Sequence, residues 1–116
     1  MNLIRLQRHQ HPKPPHHELR QKTVMDSGDR IIGQVANLYV DDDRELHFLD
    51  VATSGFLGLG TKHHLVPVEA ISDEGTGSVT LAVDQQVVES ATTYVKPYAE
   101  LDEELQRFTR EHYGYT

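Results

Sequence analysis

From Thr23 to Val83 the apolar positions fall in short runs separated by turn chemistry, which is the pattern of β structure. Val24 opens the first run, and Asp26-Ser27-Gly28-Asp29 closes it as a turn cluster. Ile31 to Val40 forms the second. There Val35, Leu38 and Val40 do not keep a period of two, which predicts a bulge near Gly33 or Asn37. Asp41-Asp42-Asp43-Arg44 reads as the next turn, and Leu46 to Ala52 as the third run. The glycine-rich stretch Gly55-Phe56-Leu57-Gly58-Leu59-Gly60 follows. His64, Val66 and Val68 alternate in the fourth run. Pro67 has no N–H to give a ladder, so it sets that strand at an edge or a bulge. Val79, Leu81 and Val83 alternate most cleanly, with Ser78, Thr80 and Ala82 facing away.

Helical periodicity appears only later. Asp84 can cap a short turn over Gln85–Ala91. Asp102 can cap a helix over Glu103–His112, with Glu103 and Glu104 at its positive dipole end and Gly114 as its stop. Leu101, Leu105, Phe108 and His112 recur at helical spacing and predict one apolar face. Many short strands followed by one terminal helix make the chain mainly β, a small barrel with a helical appendage.

Residues 1–22 break the pattern. His9, His11, His16 and His17 crowd around Pro12, Pro14 and Pro15, a density that favours extended backbone and opposes helix. The expectation is an extended arm, with Leu3, Ile4 and Leu6 as a short apolar patch that docks on a neighbouring subunit if it docks at all. The chain thus divides into an arm at 1–22, a barrel at 23–95 and a helical extension at 96–116.

The third run raises a question of assembly. Leu46 and Phe48 lie on one face of Leu46–Ala52, Leu49 and Val51 on the other, so both faces are apolar. A barrel strand open to water should be polar outside, so something covers the second face, either the C-terminal helix or another subunit. A barrel of this size is marginal alone. A homo-oligomer is expected, with Leu49, Val51, Leu105 and Phe108 as the candidate partner face.

At 116 residues the chain has room for one modest core. The absence of cysteine excludes disulfides, thiolate metal sites and a cysteine nucleophile, and fits a reducing compartment. No apolar run reaches the roughly 18–20 residues of a membrane span, and the first ten residues hold no signal-peptide core, so the expected location is the cytoplasm. The net charge of −7 is uneven. Residues 1–22 hold five Lys/Arg against one Glu, residues 23–95 three against twelve acids, and residues 96–116 three against five. The body should therefore repel nucleic acid, and only the arm has the sign for phosphate contacts.

Motifs for chemistry fail on inspection. Gly55-x4-Gly60-Thr61-Lys62 has the phosphate-loop residues in the wrong order, with a β run where the helix should follow. Asp41-Asp42-Asp43 lacks the glycine and the helices of a calcium loop. His63 and His64 point to opposite faces of a strand and cannot clamp one ion. The arm histidines can take zinc or nickel only opportunistically. Ser54, His63 and Asp50 are close in sequence, which does not make a triad, and no Gly-x-Ser-x-Gly is present. Neither a cofactor nor enzymatic activity is expected.

Gly28-x4-Gly33-x-Val35-x2-Leu38-x-Val40-Asp41, then Leu49-x-Val51, then Gly55-Phe56-Leu57-Gly58-Leu59-Gly60-x-Lys62-His63-x-Leu65-Val66-Pro67-x-Glu69-Ala70-Ile71, resembles the PRC-barrel family over about 23–95. The family takes its name from the photosynthetic reaction centre H subunit and also includes the C-terminal domain of a ribosome maturation factor. The resemblance implies a small six-stranded PRC-type β-barrel with a short C-terminal α-helix, in which Gly28, Gly33, Gly55, Gly58, Gly60 and Pro67 serve the fold. It also implies a non-catalytic docking module with a protein partner, while the acidic charge of the body argues against direct contact with nucleic acid. The alternatives are a ribosome- or RNA-associated factor that uses the basic arm, and a small-molecule sensor or enzyme.

Overall fold

The computed structural model describes residues 1–54, 60–94 and 96–115, so Gly55 and Gly58 lie outside the described residues. The strands are β1 (Leu3–Arg5), β2 (Thr23–Met25), β3 (Ile31–Val40), β4 (Leu46–Ser54), β5 (Thr61–Pro67), β6 (Ile71–Glu74), β7 (Ser78–Leu81), β8 (Thr93–Tyr94) and β9 (Glu100–Leu101). The helices are α1 (Gln85–Glu89) and α2 (Glu103–His112), with a single 3-10 turn at Val68–Ala70 between β5 and β6. Asp84 and Asp102 cap the two helices, each side chain accepting from a backbone N–H three residues on.

The expected six-stranded barrel is not confirmed: among the described residues the strands form one nine-stranded sheet, which runs β6-β7-β2-β3-β4-β5-β8 and does not close, and β1 pairs with β3 and with β9. The difference lies in the segments outside the central runs. β1, β8 and β9 are two or three residues long, too short to show a period, yet they complete the sheet. The arm is therefore not free. β1 pairs Ile4 with Val40 and Leu3 with Leu101, and Leu3, Leu6 and Leu19 are buried in the chain's own cores.

Two bulges decide which way the central side chains face. β3 and β4 pair Val35 with Val51 and then Asn37 with Asp50, leaving Ala36 as the extra residue. Without it Asn37 and Tyr39 would share the face of Val35; with it they turn to the opposite face. A second shift pairs Tyr39 with Phe48 but Val40 with Leu46, leaving His47 extra. That shift separates Leu46 from Phe48, which strict alternation had placed together.

The result is two apolar layers on the two sides of β3–β5. The inner layer is mostly aliphatic and includes Val24, Val35, Leu38, Leu46, Leu49, Val51, Val66, Val79 and Leu81. The second holds Leu3, Tyr39, Phe48, Leu65, Tyr94 and Leu101, with Leu105 packed against it. The second face of β4 is thus covered by the chain itself. Leu49 and Val51 are fully buried in the inner core and form no partner face.

Of the described motif glycines, Gly33 is the one whose neighbours leave no room for a side chain. A Cβ there would sit 2.2 Å from the carbonyl oxygen of Ala52 on the neighbouring strand. Gly60 has φ +79°, the left-handed region. Gly28 has room, with nothing closer than 3.5 Å to a Cβ. Pro67 ends β5 opposite Phe48, beyond the two residues that β8 pairs, so no bond to β8 is lost there.

Candidate functional site

The bulge at Ala36 delivers Asn37 and Tyr39 to the face that carries Asp50, and a polar cluster forms there. Asp50 is fully buried. Its carboxylate accepts from Asn37 Nδ2 at 2.7 Å and lies 3.0 and 2.9 Å from His63 Nδ1. His63 reaches it diagonally across the β4–β5 ladder, where it pairs with Ala52, two positions on from Asp50. The imidazole stacks on Tyr94 with centroids 5.6 Å apart, and Tyr94 packs on Tyr98. The Tyr39 hydroxyl donates to the carbonyl of Tyr98 at 2.7 Å. Burial, reinforced by the Asp50 charge, pushes the Tyr39 phenol up to about 12, and the same two causes raise Tyr94.

His64 points the other way, as strand geometry requires, and bonds Thr53 and Thr93 through its two nitrogens at 3.3 and 3.2 Å. Burial is the main cause of its lowered pKa, so the ring is neutral in the interior. Asp50 and His63 are thus brought together, while the side chain of Ser54 lies outside the described residues. Among the described residues His63 bonds no hydroxyl, so the pair orients an imidazole without presenting it to a nucleophile. The signal in the sequence was an acid in a run apolar on both faces: Asp50 has nowhere to go but inside.

The acidic turns are structural. Asp41 accepts from the backbone N–H groups of Asp43 and Glu45 and from the His47 ring, and His47 is the first cause of its lowered pKa. Asp26 accepts from the backbone N–H groups of Gly28, Arg30 and Gln85, joining its turn to the start of α1. Those N–H groups, led by that of Arg30, hold its pKa at about 2. No His/Asp/Glu cluster of metal-binding geometry occurs among the described residues.

Two features face outward. On α2 the expected apolar face is rotated. Leu105 is half-buried and Thr109 and Tyr113 are buried, a spacing of four, while Phe108 is 51% exposed. The Arg107 guanidinium lies over the Phe108 ring, 5.0 Å from its centroid. A shallow groove of about 410 Å³ runs beside it between Met1, the stems of Arg107 and Arg110, and Tyr115. The second feature is a cleft of about 530 Å³ lined by Arg5, Leu6, Gln7, Arg8, Arg20, Ala36, Asn37 and Ala99. Sequence reading noticed these arginines only as the charge of an arm, because nothing in a Pro-rich segment shows that it folds back on β3.

A mostly antiparallel sheet around the long bulged β3–β4 hairpin, with β2 and β7 as a parallel pair and a helix laid on β5, defines a small β-sheet domain. The sequence matches the PRC-barrel domain family over residues 15–88, and the chain belongs to that family. No curated protein matches it significantly. The match takes in most of the inner core and stops before β8, β9 and α2, which together with β1 cover the second layer.

Proposed function

We propose that the chain is a non-catalytic docking module that engages another protein through the outer side of α2. The supporting observation is Phe108, a half-exposed aromatic under an arginine, on the one long helix at the surface. Aromatic and arginine side chains are the usual anchors of protein interfaces. Of the four residues expected at a partner face, Phe108 alone is free to serve. The PRC-barrel family resemblance points to docking as well, and the lack of cysteine fits the cytoplasm as the working compartment. The ground for a homo-oligomer is weaker now that β4 has its own cover, so a second copy becomes one outcome of the test.

The test is recovery of the native protein from its own cells, with and without nuclease, beside Phe108→Asp and the control Ile31→Asp at an exposed sheet position. A defined protein partner that survives nuclease, stays with Ile31→Asp and falls at least tenfold with Phe108→Asp is the expected result. Equal recovery by all three, or a strictly monomeric protein with no partner, sinks the proposal. Ribosomal material that disappears with nuclease favours the second reading, an RNA-associated factor using the arm, which the gathering of Arg5, Arg8 and Arg20 in one cleft supports.

A further inference from the structure

The arginine cleft exists for a reason that can be traced along β3. One edge of β3 is taken by β4, and the other is shared by two short partners. Lys22 and Gln21 exchange backbone bonds with Val35, extending the β2 pairing, and Leu6 N–H donates to the carbonyl of Leu38, extending β1. Between these partners lies the bulge at Ala36 and Asn37. The cleft opens at this change of partner, with the arm on both sides and Ala99 at its rim.

Three guanidiniums line it and no carboxylate does, among the described residues. Among the described residues none of the three joins an ion pair, although the chain carries a net charge of −7. Two of them are held in place. Arg5 donates to the carbonyl of Pro97 at 3.2 Å, and Arg20 Nη1 reaches the carbonyls of Gln7, Arg8 and Gln10. Arg8 bonds nothing through its side chain among the described residues. Asn37, also in the wall, is fixed by Asp50. Burial and the neighbouring charge of Arg8 lower the pKa of Arg20, as expected of like charges gathered without a counter-ion.

We propose that this cleft binds a phosphate dianion, either free or as the monoester end of a small metabolite. Two anchored guanidiniums and the unbonded Arg8 together outmatch a single carboxylate and suit a dianion with three terminal oxygens. The volume fits a ligand of nucleotide size. A long nucleic acid is disfavoured, because outside the cleft it meets an acidic body. This site is independent of the α2 face, and either can fail without the other.

The experiment is calorimetric titration of the full chain with inorganic phosphate, adenosine 5′-monophosphate and a 20-nucleotide RNA, at low and at raised salt. Arg8→Ala is the clean variant, because Arg8 supports no part of the fold. Arg5→Lys is the second, keeping charge while losing the fork. Saturable one-site binding of phosphate or the monoester, weakened about tenfold or more by Arg8→Ala, is the expected result. Tighter binding of the monoester identifies a metabolite, and equal or better binding of inorganic phosphate identifies the free anion. No saturable binding at millimolar concentration overturns the proposal, as does binding that both variants leave unchanged. RNA binding tighter than either small anion, with a steep salt dependence, also overturns it in favour of a nucleic-acid contact.

Discussion

The two layers on either side of β3–β5 are built on different terms. The inner layer is mostly aliphatic, and most of it lies within the stretch matched by the family. The second is half aromatic, borders a buried acid with its histidine, and takes Leu3, Tyr94 and Leu101 from outside that stretch. One layer is held chiefly by apolar packing. The other also depends on a polar group that must stay partnered, because an unpaired buried charge costs far more than a lost contact. The covering segments are short and weak as isolated strands, so packing on the sheet is what orders them.

The sharpest way to break the contrast is to cut a side chain from each layer. Leu49→Ala in the inner layer and Phe48→Ala in the second should each cost about 3–5 kcal/mol in urea unfolding. A much smaller loss for Phe48→Ala would mean that the second layer is a loose cover. Next comes the polar group. His63→Ala leaves the Asp50 carboxylate with Asn37 as its remaining side-chain donor and should cost about 3 kcal/mol. Adding Asp50→Asn to that variant should recover part of the loss by removing the charge. If the double variant is less stable than His63→Ala, the carboxylate is not the burden described.

Acid should act in two separate steps. The unfolded chain binds a proton at His64 near pH 6.5, and the folded chain resists it because burial lowers the pKa. Stability therefore falls as pH drops below about 6.5, and His64→Gln should flatten that limb. Asp26 behaves in the opposite sense, its pKa falling from 3.8 to about 2 on folding. Its contribution is present above pH 3.8 and is lost as pH falls towards 2. Thermal unfolding across pH 2–8 would resolve the two limbs. The smallest effect belongs to Thr109 on α2, whose hydroxyl is buried with no partner among the described residues. Thr109→Val should raise stability by about 1 kcal/mol, read from the urea midpoint.

What the sequence showed and what it hid follow from the same physics. Helix α2 was legible to its ends, because Asp102, the two glutamates and Gly114 are local signals. Its buried side was not. Hydrophobicity selects Phe108, but the stripe that meets the sheet passes through Thr109 and leaves Phe108 in water. The bulge near Asn37 was readable from the broken alternation in β3, whereas its consequence, turning Asn37 towards Asp50, needed the neighbouring strand. Asp50 and His63 were visible as residues, yet a two-residue diagonal across a ladder leaves no mark on either strand alone. The arginine cleft was the least legible, because its walls come from the arm and from residue 99, joined only by the shared edge of β3.

The pairing of Leu3 with Leu101 has a consequence for how the molecule is made. Leu3 meets Leu101 only after the 97 residues between them have emerged. The entropy of closing so long a loop is modest, since each doubling adds only about 0.6 kcal/mol. Time is the larger burden. Until then Leu3 lacks its final cover, and the inner layer, assembled from segments in between, forms the platform on which β1 and β9 are finally sewn together.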